Sequence, residues 1–544
     1  VILQRIGNRG LFLGALFDDA LRRNPYQRLT LDHELDVAPG LGRDLTVYSC
    51  ALLVADLAAA LRQAGVRPGD TVAVHKRDGF DIFLLGCAIS RAGAVPMLLS
   101  PALPGTTVAR LLDRAGWPAL VTDGDTLADR LPDEVADRAT RVLLVAGGAP
   151  GASDAPGASG ASVVPGVPAV TPLRPDREAV PQPFRPPRPG RPGLITHTSG
   201  TTDVPKLVVH TPFTLRARYR PQALATRLLV RRRETLAIHV SFVHSRLVTV
   251  LAIALRRGFP VVIVRNPDPA ATADLFAAHQ PGILEAHPNT FVEWEVLADD
   301  PRGPLANVKY VSSTFDAIHP RTVRTLLGAS RRRRPAQLQL YGQSEVGPTV
   351  GRVTSRRHTG AVDGRCVGFP FPGMTAVRVV PRDGRPPGPD APGYVEVRTA
   401  GRAVTYLGED ARFRRQLDDG WRGGWWRMGD VGYRTRLGCL HVSDREVDLI
   451  PGFGSLLAVE DTVLSRLDAL LEVVIVPDGA GAPTPVVVTR DGAELDLARW
   501  RRATADLPAM LPPVQLDLDE LPRTATTKVR RRELARRLRA AAPG

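Results

Sequence analysis

An α/β protein of more than one domain is predicted by three observations. From Thr46 to Asp123 helical and strand-like patterns alternate. TVYSCALLVADLAAALRQAGV carries apolar residues at helical spacing and stops at Gly65, before the turn Arg67-Pro68-Gly69-Asp70, and TVAVHK then reads as a strand. DIFLLGCAISRAGAVPMLLSP and TTVARLLDRAGWPALVTD repeat the change. Strands separated by helices imply a parallel, doubly wound sheet. The second observation is length, since 544 residues exceed one ordinary hydrophobic core. The third is composition: 44% hydrophobic and 23% charged residues suit a soluble globular chain and exclude a disordered or fibrous one.

At the amino terminus, VILQRIGNRGLFLGALFDDALRRN has an apolar patch broken by Arg5, Arg9, Asp18 and Asp19, with no small-residue cleavage site after it. It reads as an amphipathic first helix and not as a signal peptide. Cys50, Cys87, Cys366 and Cys439 are scattered without C-x-x-C spacing. They read as reduced thiols of a cytoplasmic protein, with no disulfide framework and no metal site. The most apolar region, Leu236 to Val264, is interrupted by His239, His244, Arg246, Arg256 and Arg257, so no membrane span is expected. A net charge of +15 and a pI near 10.4 raise the question of polyanionic partners. The basic runs Arg231 to Arg233, Arg331 to Arg334 and Arg530 to Arg532 lack interleaved aromatics. They read as a solvated basic surface and not as a dedicated nucleic-acid site.

Between Ala146 and Pro192 the composition shifts to Gly, Ala, Pro and Ser. Such a stretch buries too little apolar surface to offset its ordering entropy, and a flexible insertion without chemistry of its own is expected. GLITHTSGTTDVPKLVVH follows, from Gly193 to His210. An apolar run breaks into Thr198, Ser199, Gly200, Thr201 and Thr202, and Lys206 comes after Pro205. Glycine lets backbone approach an anion, amides and hydroxyls donate to phosphate oxygens, and lysine adds a compact charge. Lysine is scarce, since 67 of the 71 basic residues are arginine, so its use beside this loop is pointed. The loop is not a Walker loop, because Leu207 stands where Ser or Thr should follow the lysine. A hydroxyl-rich turn between two strands is the plainer alternative.

HTSGTTDVPK resembles the phosphate-loop signature of the acyl-adenylate-forming superfamily, which includes acyl-CoA synthetases, peptide-synthetase adenylation domains and luciferases. Asp203 and Leu207 stand where that family usually has glycine. The resemblance implies a fold with a large amino-terminal domain of doubly wound mixed sheets (1–443), containing a small β-barrel-like subdomain. A hinge at 444–448 and a small mobile α+β carboxy-terminal domain (449–544) complete it.

Later motifs follow in the family order. Phe242-Val243-His244 resembles the motif whose histidine closes the acyl pocket, although a histidine on an apolar stretch is also a common core residue. No aspartate occurs between Leu236 and Arg256, where amino-acid-activating members hold the substrate ammonium. Ser312 to Ala317 resembles the adenine-contacting segment. The strand QLQL leads into YGQSEVGPT, where the resemblance gives Tyr341 and Gly342 to adenine, Ser344 to the α-phosphate and Glu345 to Mg2+. GAVDGRCVGFPFPGMTAVRVV and GYVEVRT read as strands with Pro and Gly turns. Asp430 in a Gly-Asp turn, and Arg445, match the family's ribose contacts.

Past Arg445, Val447 and Pro451 stand where the family often has Asp or Lys, while Gly454 is retained. Lys528 lies before an arginine-rich helix, as the superfamily's catalytic lysine does, with Thr527 replacing the usual glycine. The resemblance implies ATP-dependent activation of a non-amino carboxylic acid, fatty or aryl, as an acyl-adenylate. Transfer to a thiol follows, with coenzyme A expected and a carrier-protein phosphopantetheine as the alternative. A degenerate nucleotide-binding member without turnover is the other reading, motivated by Asp203, Leu207, Val447, Pro451 and Thr527.

Overall fold

The alternation between Thr46 and Asp123 becomes one flank of an eight-stranded sheet in the computed structural model, which describes residues 10–145, 170–176, 182–198, 204–314, 317–359, 363–418, 424–477, 481–524 and 528–541. Its parallel strands are Thr71–Val74, Val95–Leu98, Ala119–Asp123, Val142–Val145, Val170–Leu173 and Leu194–His197. Leu207–His210 adds antiparallel, and the two-residue strand Thr405–Tyr406 closes that edge. The helix Val47–Gln63 starts where the Thr46 and Ser49 side chains cap each other's backbone amides, and it buries one apolar face.

The second sheet has a parallel half in the order Arg28–Leu31, Val261–Ile263, Leu236–His239, Ile283–Ala286, Tyr310–Ser313, Ala336–Gln343. From Gly347–Ser355 it turns antiparallel through Cys366–Pro370, Leu440–Arg445, Trp425–Arg434, Gly393–Thr399 and Thr375–Val380. These antiparallel strands, read from the sequence as all-β, have their own core, including Val395, Val397 and Trp426. After residue 449, Leu470–Val476, Thr484–Thr489 and Val514–Gln515 form a third sheet, with the helices Leu456–Arg466 and Arg531–Ala541 packed on it. The carboxyl ends of the two parallel sheets face one cavity. Crevices of this kind, where parallel strands end, are where α/β sheets place their ligands.

Two expectations change. The Ala146 to Pro192 stretch is not wholly unpacked: Val170–Leu173 pairs with Val142–Val145, and Phe184 packs edge-on against Phe12 with ring centroids 6.2 Å apart. A short run, VTPL, finds an open sheet edge inside a Pro/Gly-rich context. Residues 146–169 and 177–181 lie outside the described residues. The four cysteines are also not all reduced. Cys366 and Cys439 are bonded, at a sequence separation of 73, while Cys50 and Cys87 are free and buried. The pairing follows from neighbouring strands, with Cys366 opposite His441 in the ladder, and linear spacing carries no trace of that register. Cys366, Cys439 and His441 also form the one cluster with metal-ligating side chains close together among the described residues. No helix among the described residues is long and apolar enough to cross a membrane.

Candidate functional site

The cavity between the sheets measures about 510 Å³, and Thr198, Lys206, His244, Ser344, Glu345 and Lys528 all line it. A second cavity of about 280 Å³ adjoins it and is lined by Tyr341 and Asp430. Gly342, Arg445 and Lys528 border both.

The loop base is tied by backbone. The Thr198 amide donates to the Lys206 carbonyl at 3.0 Å, and the Lys206 amide donates to Thr198 Oγ1 at 3.1 Å. Ser199, Gly200, Thr201, Thr202 and Asp203 between them lie outside the described residues, as do Phe315, Asp316 and Thr527. The Lys206 ammonium reaches Tyr406 Oη at 3.4 Å and stands 5.0 Å from that ring's centre. Burial lowers its pKa, and the Glu345 carboxylate partly offsets this.

Glu345 is buried in the turn between Ala336–Gln343 and Gly347–Ser355. Gln343 fixes that turn by donating to Met428 O and accepting from Trp426 Nε1 at 3.3 Å. The Tyr406 hydroxyl donates to Glu345 Oε1 at 2.6 Å, which leaves the second carboxylate oxygen for another partner. A hard oxygen donor beside a phosphate-type loop fits Mg2+, which binds through one or two carboxylates plus substrate phosphates. Tyr406 was not singled out by sequence reading. It sits 200 residues from Lys206 in a plain stretch, with no motif to mark it.

Ser344 Oγ lies 3.4 Å from His244 Nε2. His244 caps the helix Ser245–Arg257, and its Nδ1 accepts the Arg246 amide at 3.0 Å, so the imidazole proton belongs on Nε2, facing Ser344. Burial first, and the Arg218 charge next, push the His244 pKa down to about 3, so this ring stays neutral at working pH.

Asp430 and Arg445 face each other because their strands pair in that register, with Arg445 Nε 3.6 Å from Asp430 Oδ1. The Tyr341 hydroxyl donates to Asp430 Oδ2 at 2.5 Å. Lys528 lies between Arg523 and Val529, which form an antiparallel bridge, and its amide donates to Thr524 Oγ1 at 3.2 Å. The carboxy-terminal sheet thus delivers a lysine into a cavity made by the two large sheets. Beyond Arg445, Val447 is half exposed and its carbonyl accepts from Arg532 at 3.4 Å.

Two arginines that no motif marks, Arg246 and Arg218, line the cavity floor. Arg246 donates to both oxygens of Glu285, at 2.7 and 2.8 Å, and also to Gln222. Arg218 is buried beside Ser245, and His210 bonds Thr196 Oγ1 at 2.9 Å. In an arginine-biased chain, no spacing distinguishes Arg218 from its solvent-facing helix neighbours.

The AMP-binding enzyme family matches residues 17–407. The chain is 47% identical over 542 residues to the 3-amino-2-hydroxy-4-methoxybenzoate diazotase of Streptomyces cremeus, covering 98% of this chain and 97% of that one. It is 26% identical to the indoleacetate–CoA ligase of Aromatoleum aromaticum, over 90% of this chain and 92% of that one. The ATP-bound crystal structure of MatB from Rhodopseudomonas palustris superposes with a TM-score of 0.73 at 19% identity, covering 97% and 99% of the two chains. The last likeness shows the α/β fold, with its mixed sheets; the first two, with the motifs gathered around one cavity, show more. This chain belongs to the AMP-binding enzyme family, whose members activate acids with ATP in an AMP-forming reaction.

Proposed function

We propose that the chain adenylates a small planar oxyanion and hands the activated group to the amine of an aromatic acid, an ATP-dependent diazotisation. The observation that carries the first half is the convergence of Lys206, Glu345 and Lys528 on one cavity. The second half rests on full-length similarity to a diazotase. A diazo group needs a nitrogen at the oxidation level of nitrite, and nitrite has the planar, two-oxygen shape of a carboxylate. A site that activates carboxylates is therefore prepared for it.

In this reading Thr198, Lys206 and the intervening loop hold the β- and γ-phosphates, Tyr341 and Gly342 flank adenine, and Asp430 and Arg445 hold the ribose. Mg2+, when bound, would be held by Glu345 and the triphosphate and would supply charge neutralisation. Lys528 bridges the attacking oxyanion and the α-phosphate, neutralising charge as it spreads in the in-line transition state. Ser344, oriented by the neutral His244, donates to an α-phosphate oxygen. Nitrite oxygen bonds to Pα as the Pα–O bond to pyrophosphate breaks, leaving the mixed anhydride of nitrous acid and AMP. The aromatic amine then attacks the nitroso nitrogen. An N–N bond forms, the N–O bond to AMP breaks, and the amine proton leaves to solvent. The resulting nitrosamine tautomerises and loses its oxygen as water after protonation, giving the diazonium.

Transfer of an acyl group to coenzyme A or a carrier-protein thiol is the second reading, supported by similarity to a CoA ligase. In that reading residues 444–448 act as a hinge and 449–544 rotate between half-reactions. Pyrophosphate exchange into ATP with nitrite and with a panel of carboxylic acids separates the two, combined with azo-dye trapping when an aminobenzoate is added. Exchange with nitrite and ATP-dependent dye formation support diazotisation. Exchange only with a carboxylic acid, followed by thioester formation, replaces it with the thiol reading.

A further inference from the structure

Arg218 lies inside the helix Pro212–Leu229, where Arg220 and Arg227 are exposed or half exposed, yet it is only 2% exposed itself. It borders the main cavity. The fold makes room for it, because a Cβ on either Gly347 or Gly401 would stand 2.8 Å from the Arg218 side chain. Gly347 also has φ +68°, a conformation other residues rarely adopt.

Its Nε donates to Gly401 O at 2.7 Å, Nη1 to Ser245 Oγ at 3.2 Å and Nη2 to Glu345 O at 2.8 Å. All three acceptors are neutral. A guanidinium carries five N–H groups, so two remain without a protein acceptor among the described residues. Burial pulls its pKa down to about 9, and Glu345 is the carboxylate that pulls back. That carboxylate already accepts from Tyr406 and is the group suited to Mg2+. Arg246, in the same cavity wall, shows the ordinary solution, with its charge matched bidentately by Glu285. His210 adds a second buried polar group, since its Nδ1 has no partner among the described residues and it feels the Arg218 charge. A buried cation left with neutral partners is costly unless an anion arrives to pair with it.

We propose that Arg218 anchors a planar-oxyanion subsite at the floor of the cavity, binding bidentately either the carboxylate of the aromatic co-substrate or nitrite. Resting on the diazotisation reading, this names the substrate class: two anions enter the cavity, and Arg218 recognises one of them. If the carboxylate is the ligand, neutral anilines have nothing to offer that end.

Steady-state kinetics of wild type, Arg218→Lys and Arg218→Gln test it, varying aminobenzoate at saturating nitrite and then the reverse, with melting curves confirming folding. We expect Arg218→Gln to raise one of the two KM values about 10- to 100-fold, with Arg218→Lys between. A raised aminobenzoate KM identifies the carboxylate, and a raised nitrite KM identifies nitrite. In wild type the carboxamide analogue then fails to compete if the carboxylate is the ligand. Unchanged KM values for both substrates, or a fall in kcat alone, overturns the subsite. If wild type forms no diazo product with any amine, the function fails separately. The subsite is then read by thermal shift: benzoate or nitrite raising the melting temperature of wild type and not of Arg218→Gln sustains it, and equal shifts overturn it.

Discussion

At the phosphate-loop end of the cavity the side chains come from short stretches that carry them at fixed spacing, Lys206 after Thr198 and Glu345 after Tyr341. At the floor, Arg218 and Arg246 come from two helices that share no motif. In the proposed reading the first end presents donors and a cation to the nucleotide. The second end is assembled by tertiary packing and, in the same reading, tells one substrate from another. On that reading, shared chemistry is written locally, and selectivity is written in contacts between distant segments.

Removing Lys528 gives the sharpest test of that contrast. Lys528→Ala is expected to lower adenylate formation about 100- to 1,000-fold, by the same factor for every oxyanion that wild type activates. Single-turnover pyrophosphate release measures it. A loss that depends on the oxyanion would move Lys528 from the general end to the selective one. Breaking the floor's scaffold is next: Glu285→Ala leaves Arg246 buried without its carboxylate and should cost about 3 to 5 kcal/mol of folding stability. Urea unfolding reads it, and an unchanged midpoint would show that the floor is held by something other than this pair. Glu345→Gln keeps the shape and removes the charge. It should reduce exchange about 100-fold, with partial recovery at raised Mg2+, and an Mg2+-independent loss would argue against the metal role.

The smallest expected effect concerns pH at the seam with the carboxy-terminal sheet. Burial, with the neighbouring Glu460 charge, raises both Asp444 and Asp461 to about 7. The groups facing them include Arg531 toward Asp444, and Asp363 and Arg365 toward Asp461. These carboxyls hold protons in the folded state at pH values where the unfolded chain has lost them. Stability therefore falls as pH rises from about 4 to 7 and levels off above. Asp461→Asn should flatten that slope and raise the melting temperature at pH 8 by a few degrees, and an unchanged profile would remove the pair from this account.

Much of the fold was legible because the helix-to-strand alternation between Thr46 and Asp123 is strong and local. The phosphate-loop lysine, Glu345, Asp430, Arg445 and Lys528 were legible through their motifs, and the structure brings all five to adjoining cavities. Tyr406 was not, since its role depends on a two-residue strand pairing with Leu207–His210. Arg218 was hidden by composition, one arginine among many, distinguished only by facing inward. The Cys366–Cys439 bond was hidden because ladder register, and not spacing, makes them neighbours.

That short edge strand also has a consequence for how the chain is made. Thr405–Tyr406 completes the sheet edge at Leu207–His210 and supplies the hydroxyl between Lys206 and Glu345, from 200 residues further along the chain. During synthesis the phosphate loop emerges early and waits with an unpaired edge while the next domain's worth of chain is translated, at roughly 5 to 20 residues per second. For those seconds the nascent protein exposes a strand open to wrong partners and lacks the Tyr406 hydroxyl beside Lys206 and Glu345. A nascent chain that ends before Thr405 has its signature motif and lacks the strand that completes its edge.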